Sequence, residues 1–150
     1  MEIHLIWAQE INGGIGINNK LPWYISEDLK NFKAITLNKT IVMGRKTWDS
    51  LPLKPLPKRR NIILSSQSFD NLESYSSVQE CINSLSNEKD IFIIGGAQIY
   101  KSFFSHANHL HITFINKNTP GIDTYFPISM LKIKESFIKY DSMHLTENVE

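Results

Sequence analysis

An acid on an apolar helical stripe is the most chemically pointed feature of this chain. In Leu21-Pro22-Trp23-Tyr24-Ile25-Ser26-Glu27-Asp28-Leu29-Lys30-Asn31-Phe32-Lys33, Asp28 falls on the same face as Leu29, Phe32 and Ile35 if the segment is helical. Residues three and four apart share a helix face, so Asp28 points inward with Phe32 while Glu27, Lys30, Asn31 and Lys33 can face water. A carboxylate placed there loses hydration, which disfavours its charged form unless a cation or hydrogen-bond donor meets it. No basic residue lies on that stripe, so the partner comes from elsewhere in the fold or from a ligand. The alternative is a first-turn acid favoured by the helix dipole, with Ser26 as N-cap.

Three further segments suit anions. Thr40-Ile41-Val42-Met43 runs into Gly44 and then Arg45-Lys46-Thr47, putting two cations at a helix start whose dipole is already positive. Local stability would prefer acids there. A phosphate held between those side chains and free backbone N–H groups accounts for the choice, the alternative being two side chains extending into water. Ile91-Phe92-Ile93-Ile94 ends in Gly95-Gly96 before Ala97-Gln98-Ile99-Tyr100, where paired glycines allow close backbone approach to a pyrophosphate or simply a tight turn. Asn61-Ile62-Ile63-Leu64 is followed by Ser65-Ser66-Gln67, a set of hydroxyl and amide donors. Open α/β sheets bind ligands at the carboxyl ends of their strands, so the three together predict a phosphate-bearing cofactor.

Common fingerprints fail. Gly14-Ile15-Gly16 would need glycine at position 19 to complete G-x-G-x-x-G but has Asn19, and Gly44 lacks the order of a P-loop. His106, His109 and His111 have no companion acids or cysteines nearby and read as ordinary turn and strand histidines, so no metal is expected.

The elements that must hold these groups are legible in outline. One domain is expected from 150 residues, with 41% apolar and 21% charged residues. A net charge of +1 gives no broad field for nucleic acid or an anionic membrane. The start lacks the pattern of a signal peptide and no apolar run is long enough to span a bilayer, so a cytoplasmic protein is expected. Cys81 is alone, which fits a reducing compartment, and its spacing with Val78, Ile82 and Leu85 turns it toward a core. Strands are predicted at residues 3–8, 40–43, 61–64, 91–94, 110–113 and 137–141, and helices at 27–36, 45–50, 78–85 and 97–103. That alternation predicts an α/β fold with a mostly parallel central sheet flanked by helices. Residues 9–26, rich in Gly and Asn, read as a loop at a ligand's mouth, and the three prolines of residues 51–60 as a stiff connection.

With these residues in view, the chain resembles the dihydrofolate reductase family over nearly its whole length. The resemblance rests on Ile15-Gly16, Leu21-Pro22-Trp23, Asp28-Leu29 with Phe32-Lys33, Met43-Gly44-Arg45-Lys46-Thr47-Trp48, Leu56-Pro57 with Arg59, Asn61-Ile62-Ile63-Leu64-Ser65, Ile94-Gly95-Gly96-Ala97-Gln98-Ile99-Tyr100, and Asp123-Thr124 with Phe126-Pro127, in order. It implies reduction of 7,8-dihydrofolate to tetrahydrofolate with NADPH, and binding of antifolate-type small molecules. It implies that Asp28, sharing a network with Thr113, meets the amidine-like edge of the pterin. Ile6, Trp7, Ala8, Leu29, Phe32, Leu51, Leu56 and Ile94 would wall the substrate, and Arg59 would take the glutamate carboxylate in a planar bidentate contact. Leu21 and Trp23 would belong to the catalytic loop, with a water near Trp23 bringing the proton to N5.

For the cofactor, the resemblance implies contacts from Ala8, Ile15, Gly16 and Asn19, and from Gly44, Arg45, Lys46 and Thr47. It adds Leu64, Ser65, Ser66 and Gln67 around the 2′-phosphate, then Ile94, a cis-linked Gly95-Gly96, Ala97, Gln98, Ile99 and Tyr100. Gln98 stands where several members have a basic residue. Members usually continue through a loop into a last strand, and residues 144–150 are too few for both. A terminal strand missing or truncated is therefore expected, leaving an otherwise monomeric protein able to associate through the sheet edge. Two rivals remain at this point: a related reductase of riboflavin synthesis, and a nucleotide-binding module without catalysis.

Overall fold

Parallel pairing of apolar strands organises the molecule in the computed structural model, which describes residues 1–150 other than 19, 140, 144, 147 and 148. In chain order the strands are β1 (Glu2–Glu10), β2 (Gly14–Gly16), β3 (Thr40–Gly44), β4 (Arg60–Leu64), β5 (Glu73–Tyr75), β6 (Asp90–Ile93), β7 (His109–Ile115) and β8 (Thr124–Tyr125). The helices are α1 (Ser26–Thr36), α2 (Arg45–Ser50), α3 (Val78–Ser84), α4 (Ala97–Phe103) and α5 (Met130–Ser136), with a 3₁₀ turn at Phe104–His106. Six strands form one sheet in the order β5-β4-β3-β6-β1-β7, and β2 pairs with β8 in a separate antiparallel ribbon. All five pairings within the large sheet are parallel. This is the mostly parallel α/β fold expected from the alternation of strands and helices.

Alternation along each strand divides the core between the two sheet faces. Leu5, Val42, Ile62, Ile91 and Ile93 pack with Cys81 of α3 and with Tyr100 and Phe103 of α4. Ile41, Met43, Ile63 and Phe92 face the other way, where Ile35 of α1 and Trp48 of α2 cover them. Cys81 is fully buried, as its helical spacing predicts, and burial pushes its thiol up to about 12. The cap of α3 is explicit: Ser77 Oγ accepts from Glu80 N–H at 3.1 Å, while Glu80 Oε2 accepts from Ser76 N–H at 3.1 Å. Because β3, β4, β6, β1 and β7 run the same way, their carboxyl ends lie along one rim, and the ligand segments leave the sheet there.

Several expectations change. Residues 137–141 form no strand among their described members; Ser129 instead caps α5, accepting from Lys132 N–H at 3.3 Å. Phe137 then packs edge-on against Phe104 at 5.7 Å, while Ile138 is 95% exposed, so the β-favouring side chains there have no sheet to join. The supposed loop at 9–26 begins two residues too early: Gln9 and Glu10 extend β1 and are buried, and β2 lies within the rest. Ser26 opens α1 but does not cap it; Ile25 is the N-cap and supplies no side-chain bond. At the β7 edge, Phe114 and Glu150 exchange two backbone hydrogen bonds and Val149 bridges Ile115 antiparallel, so that end of the edge is covered. Among the described residues no helix is long and apolar enough to cross a membrane.

Three histidines, His4, His109 and His111, gather on one sheet face. His4 stacks between Phe92 (4.2 Å) and His109 (4.5 Å), its Nδ1 lies 3.0 Å from His111 Nε2, and its Nε2 lies 2.8 Å from Asp90 Oδ1. Lys39 approaches Asp90 at 3.8 Å, and Glu2 approaches His109 at 3.9 Å. Among the described residues no cluster is arranged to hold a metal ion. Burial and the neighbouring His4 and His109 push His111 down to about 4 from 6.5, and burial also lowers His4. Between pH 6.5 and 4 the unfolded chain therefore binds protons that the folded His111 refuses, and stability falls as pH is lowered through that window. The urea midpoint is expected to drop across it, and His111→Gln to flatten the slope; equal slopes for both proteins would contradict the account.

Candidate active site

Asp28 lies in the first turn of α1 and meets Thr113 of β7, whose hydroxyl donates to Asp28 Oδ1 at 2.8 Å. Thr113 itself is 6% exposed, and Asp28 is half-buried. Among the described residues no Lys, Arg or His pairs with Asp28, so one neutral hydroxyl is all that meets its charge. Burial raises its pKa above the ordinary aspartate value, and the Thr113 hydrogen bond only partly offsets that.

Asp28 opens into a cleft of about 2130 Å³, ample for two organic ligands side by side. Ile6, Ala8, Leu29, Phe32, Leu51, Leu56, Ile94 and Thr113 line it, with Leu21, Trp23 and Tyr24 also on its wall. Trp7 borders the cleft as well, but its ring stacks on Phe126 at 3.7 Å and its indole N–H donates to Gln9 at 2.8 Å. Arg59 lines the same cleft. Its Nε donates to the Pro57 carbonyl at 2.9 Å and its Nη1 to Thr36 Oγ1 at 3.2 Å, so the half-buried guanidinium is aimed by its own neighbourhood. No carboxylate among the described residues pairs with it, and burial lowers its pKa from the usual arginine value. Among the described residues, one cleft thus holds an acid without a cation and a cation without an acid.

The three segments expected to meet anions converge on the same rim. Gly44 N–H donates to the Gly95 carbonyl at 2.9 Å, joining the ends of β3 and β6. Gly95 has φ +129, and a Cβ there would meet Tyr100 Oη at 3.3 Å and Thr47 Oγ1 at 3.4 Å, so glycine leaves the backbone open to a ligand. The Gly95–Gly96 peptide is cis. Tyr100 is buried and its hydroxyl donates to the Ile6 carbonyl at 2.8 Å, linking α4 to β1. Ile15, Gly16, Gly44, Arg45, Lys46, Thr47, Leu64, Ile94, Gly95, Gly96, Ala97, Gln98 and Ile99 all line the cleft. Ser65, Ser66 and Gln67 do not; of the three, Gln67 meets the cleft wall by accepting a hydrogen bond from Arg45 at its Oε1. Phe69 lies under the Arg45 guanidinium at 5.7 Å. Asn19 lies outside the described residues.

Two contributors escape a reading of motifs. Thr36, fully buried, holds Arg59 in place. Glu10, at the end of β1, accepts hydrogen bonds from the Trp23 indole N–H and from the Thr119 backbone and hydroxyl. The signal for Glu10 was present: it follows Ile6 and Ala8 on one strand face, an acid on an apolar stripe just as Asp28 is.

The dihydrofolate reductase family model matches residues 2–147. A dihydrofolate reductase of Buchnera aphidicola subsp. Acyrthosiphon pisum is 46% identical over 129 residues, covering 85% of this chain and 80% of the relative. One of Ureaplasma parvum is 43% identical over 130 residues, covering 84% and 82%. One of Mycobacterium leprae is 42% identical over 128 residues, covering 82% and 73%.

The raised pKa of Asp28 has a consequence for the free protein. Folding favours the protonated acid, so stability falls as pH rises from the ordinary aspartate value through the raised folded one, above which the charged side chain carries the full cost. Asp28→Asn can still accept from Thr113 without carrying charge. Its melting temperature at pH 7 without ligand is expected to rise, by roughly 2–4 °C for each kcal/mol of desolvation relieved. A lower melting temperature would mean that the carboxylate has a stabilising partner.

Proposed function

This chain belongs to the dihydrofolate reductase family, and we propose that its reduction of 7,8-dihydrofolate to tetrahydrofolate with NADPH is organised around the unpaired charges of Asp28 and Arg59. The observation that supports this most is their presence in one cleft without ionic partners among the described residues. A ligand suited to both needs a donor-rich rim at one end and a carboxylate at the other, as a pterin bearing a glutamate has. That combination also disfavours the riboflavin-pathway reductase, whose substrate has no glutamate tail, and a module that binds only nucleotide, which would leave Asp28 without a role.

Asp28 orients the pterin and stabilises the positive charge that develops on it, with Thr113 holding the carboxylate in place. Ile6, Ala8, Leu29, Phe32 and Ile94 exclude water from the ring, Leu51 and Leu56 line the tail, and Arg59 clamps its carboxylate. Residues around the rim fit NADPH: an open glycine backbone at Gly95, donors at Lys46 and Thr47, and Arg45 beside Gln67 for a 2′-phosphate. When bound, that cofactor supplies the hydride. The proton reaches N5 through water admitted beside Leu21 and Trp23. Because the Trp23 N–H is already donated to Glu10, its ring rather than its nitrogen shapes that path. Residues 1–150 act as one domain, cytoplasmic and monomeric.

Asp28→Asn is expected to slow single-turnover hydride transfer about 100-fold at pH 7, with partial recovery in acid; an unchanged rate would remove Asp28 from the mechanism. Arg59→Lys loses the planar fork but keeps the charge. It is expected to raise KM for dihydrofolate about tenfold with kcat little changed, whereas an equal loss in kcat would show that Arg59 acts in the transition state.

A further inference from the structure

Glu10 is an unusual acid. It is 3% exposed at the carboxyl end of β1, and among the described residues no cation lies within ion-pair distance of it. Three neutral donors converge on it instead: the Trp23 indole N–H and the Thr119 hydroxyl reach Oε2, and the Thr119 backbone N–H reaches Oε1 at 2.6 Å. Burial acts to raise its pKa, but those donors, helped by the more distant charge of Lys117, win and hold it below the usual glutamate range, so it is charged at neutral pH. Its neighbour Gln9 has a neutral amide that holds Trp7 on the opposite strand face.

The donors belong to segments far apart in sequence. Trp23 is on the cleft wall just before α1, two residues after Leu21 and five before Asp28. Thr119 lies between β7, which carries Thr113, and β8. We propose that Glu10 is a positioning residue for the reduction: by binding the Trp23 indole and the Thr119 segment together, it fixes the Trp23 ring against the substrate end of the cleft. The proposal rests on the reading of Trp23 as a wall of the reacting site. A charged acceptor suits the task because both oxygens accept without offering a hydrogen in return. Glutamine keeps one accepting oxygen and turns an N–H₂ group toward the remaining donor, so Glu10→Gln breaks the joint grip on Trp23 and Thr119 with little change of volume.

The test combines an activity-independent signal with kinetics. The chain has three tryptophans, so its ¹⁵N-labelled form gives three indole N–H resonances. Glu10→Gln is expected to shift the Trp23 resonance upfield, slow single-turnover hydride transfer about tenfold at saturating substrates and raise KM for dihydrofolate. In a Trp23→Phe enzyme, which has no indole N–H to hold, the same Glu10→Gln change is expected to have no further effect on hydride transfer. Glu10→Asp, one methylene shorter but still charged, is expected to give an intermediate rate and serves as the reading if the glutamine variant does not fold. Equal rate losses in the wild-type and Trp23→Phe backgrounds, or a folded Glu10 variant with wild-type hydride transfer, would overturn the proposal and leave Glu10 a purely structural acid. If Trp23→Phe alone left the rate unaltered, the fault would lie in the assignment of Trp23. The indole shift would still report whether the Glu10 bond exists.

Discussion

A carboxylate met, among the described residues, only by a hydroxyl is the constraint around which this structure is arranged. Asp28 accepts one hydrogen bond from Thr113 and is otherwise turned to an apolar cleft, an arrangement that costs stability while no ligand is present. That cost makes sense as stored selectivity. A ligand bringing two donors to the carboxylate removes the penalty, whereas one lacking them leaves it in place, and discrimination by an unpaired buried acceptor is stronger than discrimination by apolar shape. The influence of Asp28 extends further, since its charge adds to the burial that raises the pKa of Tyr100, the residue tying α4 to Ile6.

The sheet makes such a site possible. Parallel strands send every chain segment off the same rim, so groups distant in sequence converge without long excursions: Gly44 bonds Gly95, Arg45 reaches Gln67, and Thr113 reaches Asp28. The interior behind the rim is rigid and apolar on both faces, with β3 buried throughout. Side chains anchored at the ends of such strands keep their positions when loops adjust. Groups far apart in sequence are therefore held at separate ends of one cleft.

Much of this was legible in the residues. The five long parallel strands and four helices announce themselves by apolar runs and by periodicity, and α2 begins and ends where its spacing places it. Asp28 stood out because an acid on an apolar stripe is costly, and that argument needs no fold. Short elements escaped it: β2, β5 and β8 contain too few residues to show a period and exist because neighbouring chain supplies hydrogen bonds. The supposed strand at 137–141 failed for the converse reason, since Phe137 finds Phe104 rather than a pairing partner. Thr36 was missed because its role depends on a contact across 23 positions of sequence, which no local pattern reports, whereas the acid at Glu10 was visible on its strand stripe but its partners, 13 and 109 positions away, were not. The histidine cluster is similar: His4 meets His111 across 107 positions only because β1 and β7 are adjacent.

The central claim is that Asp28 carries an unmatched charge that a folate ring matches. Its carboxyl carbon, labelled with ¹³C and followed through a pH titration, measures this directly. In the free enzyme the account predicts a midpoint above the ordinary aspartate value, and in the complex with a pterin or diaminopyrimidine ligand a midpoint driven well below it. An ordinary midpoint that is the same with and without ligand would show that the carboxylate is already solvated, and would contradict the account.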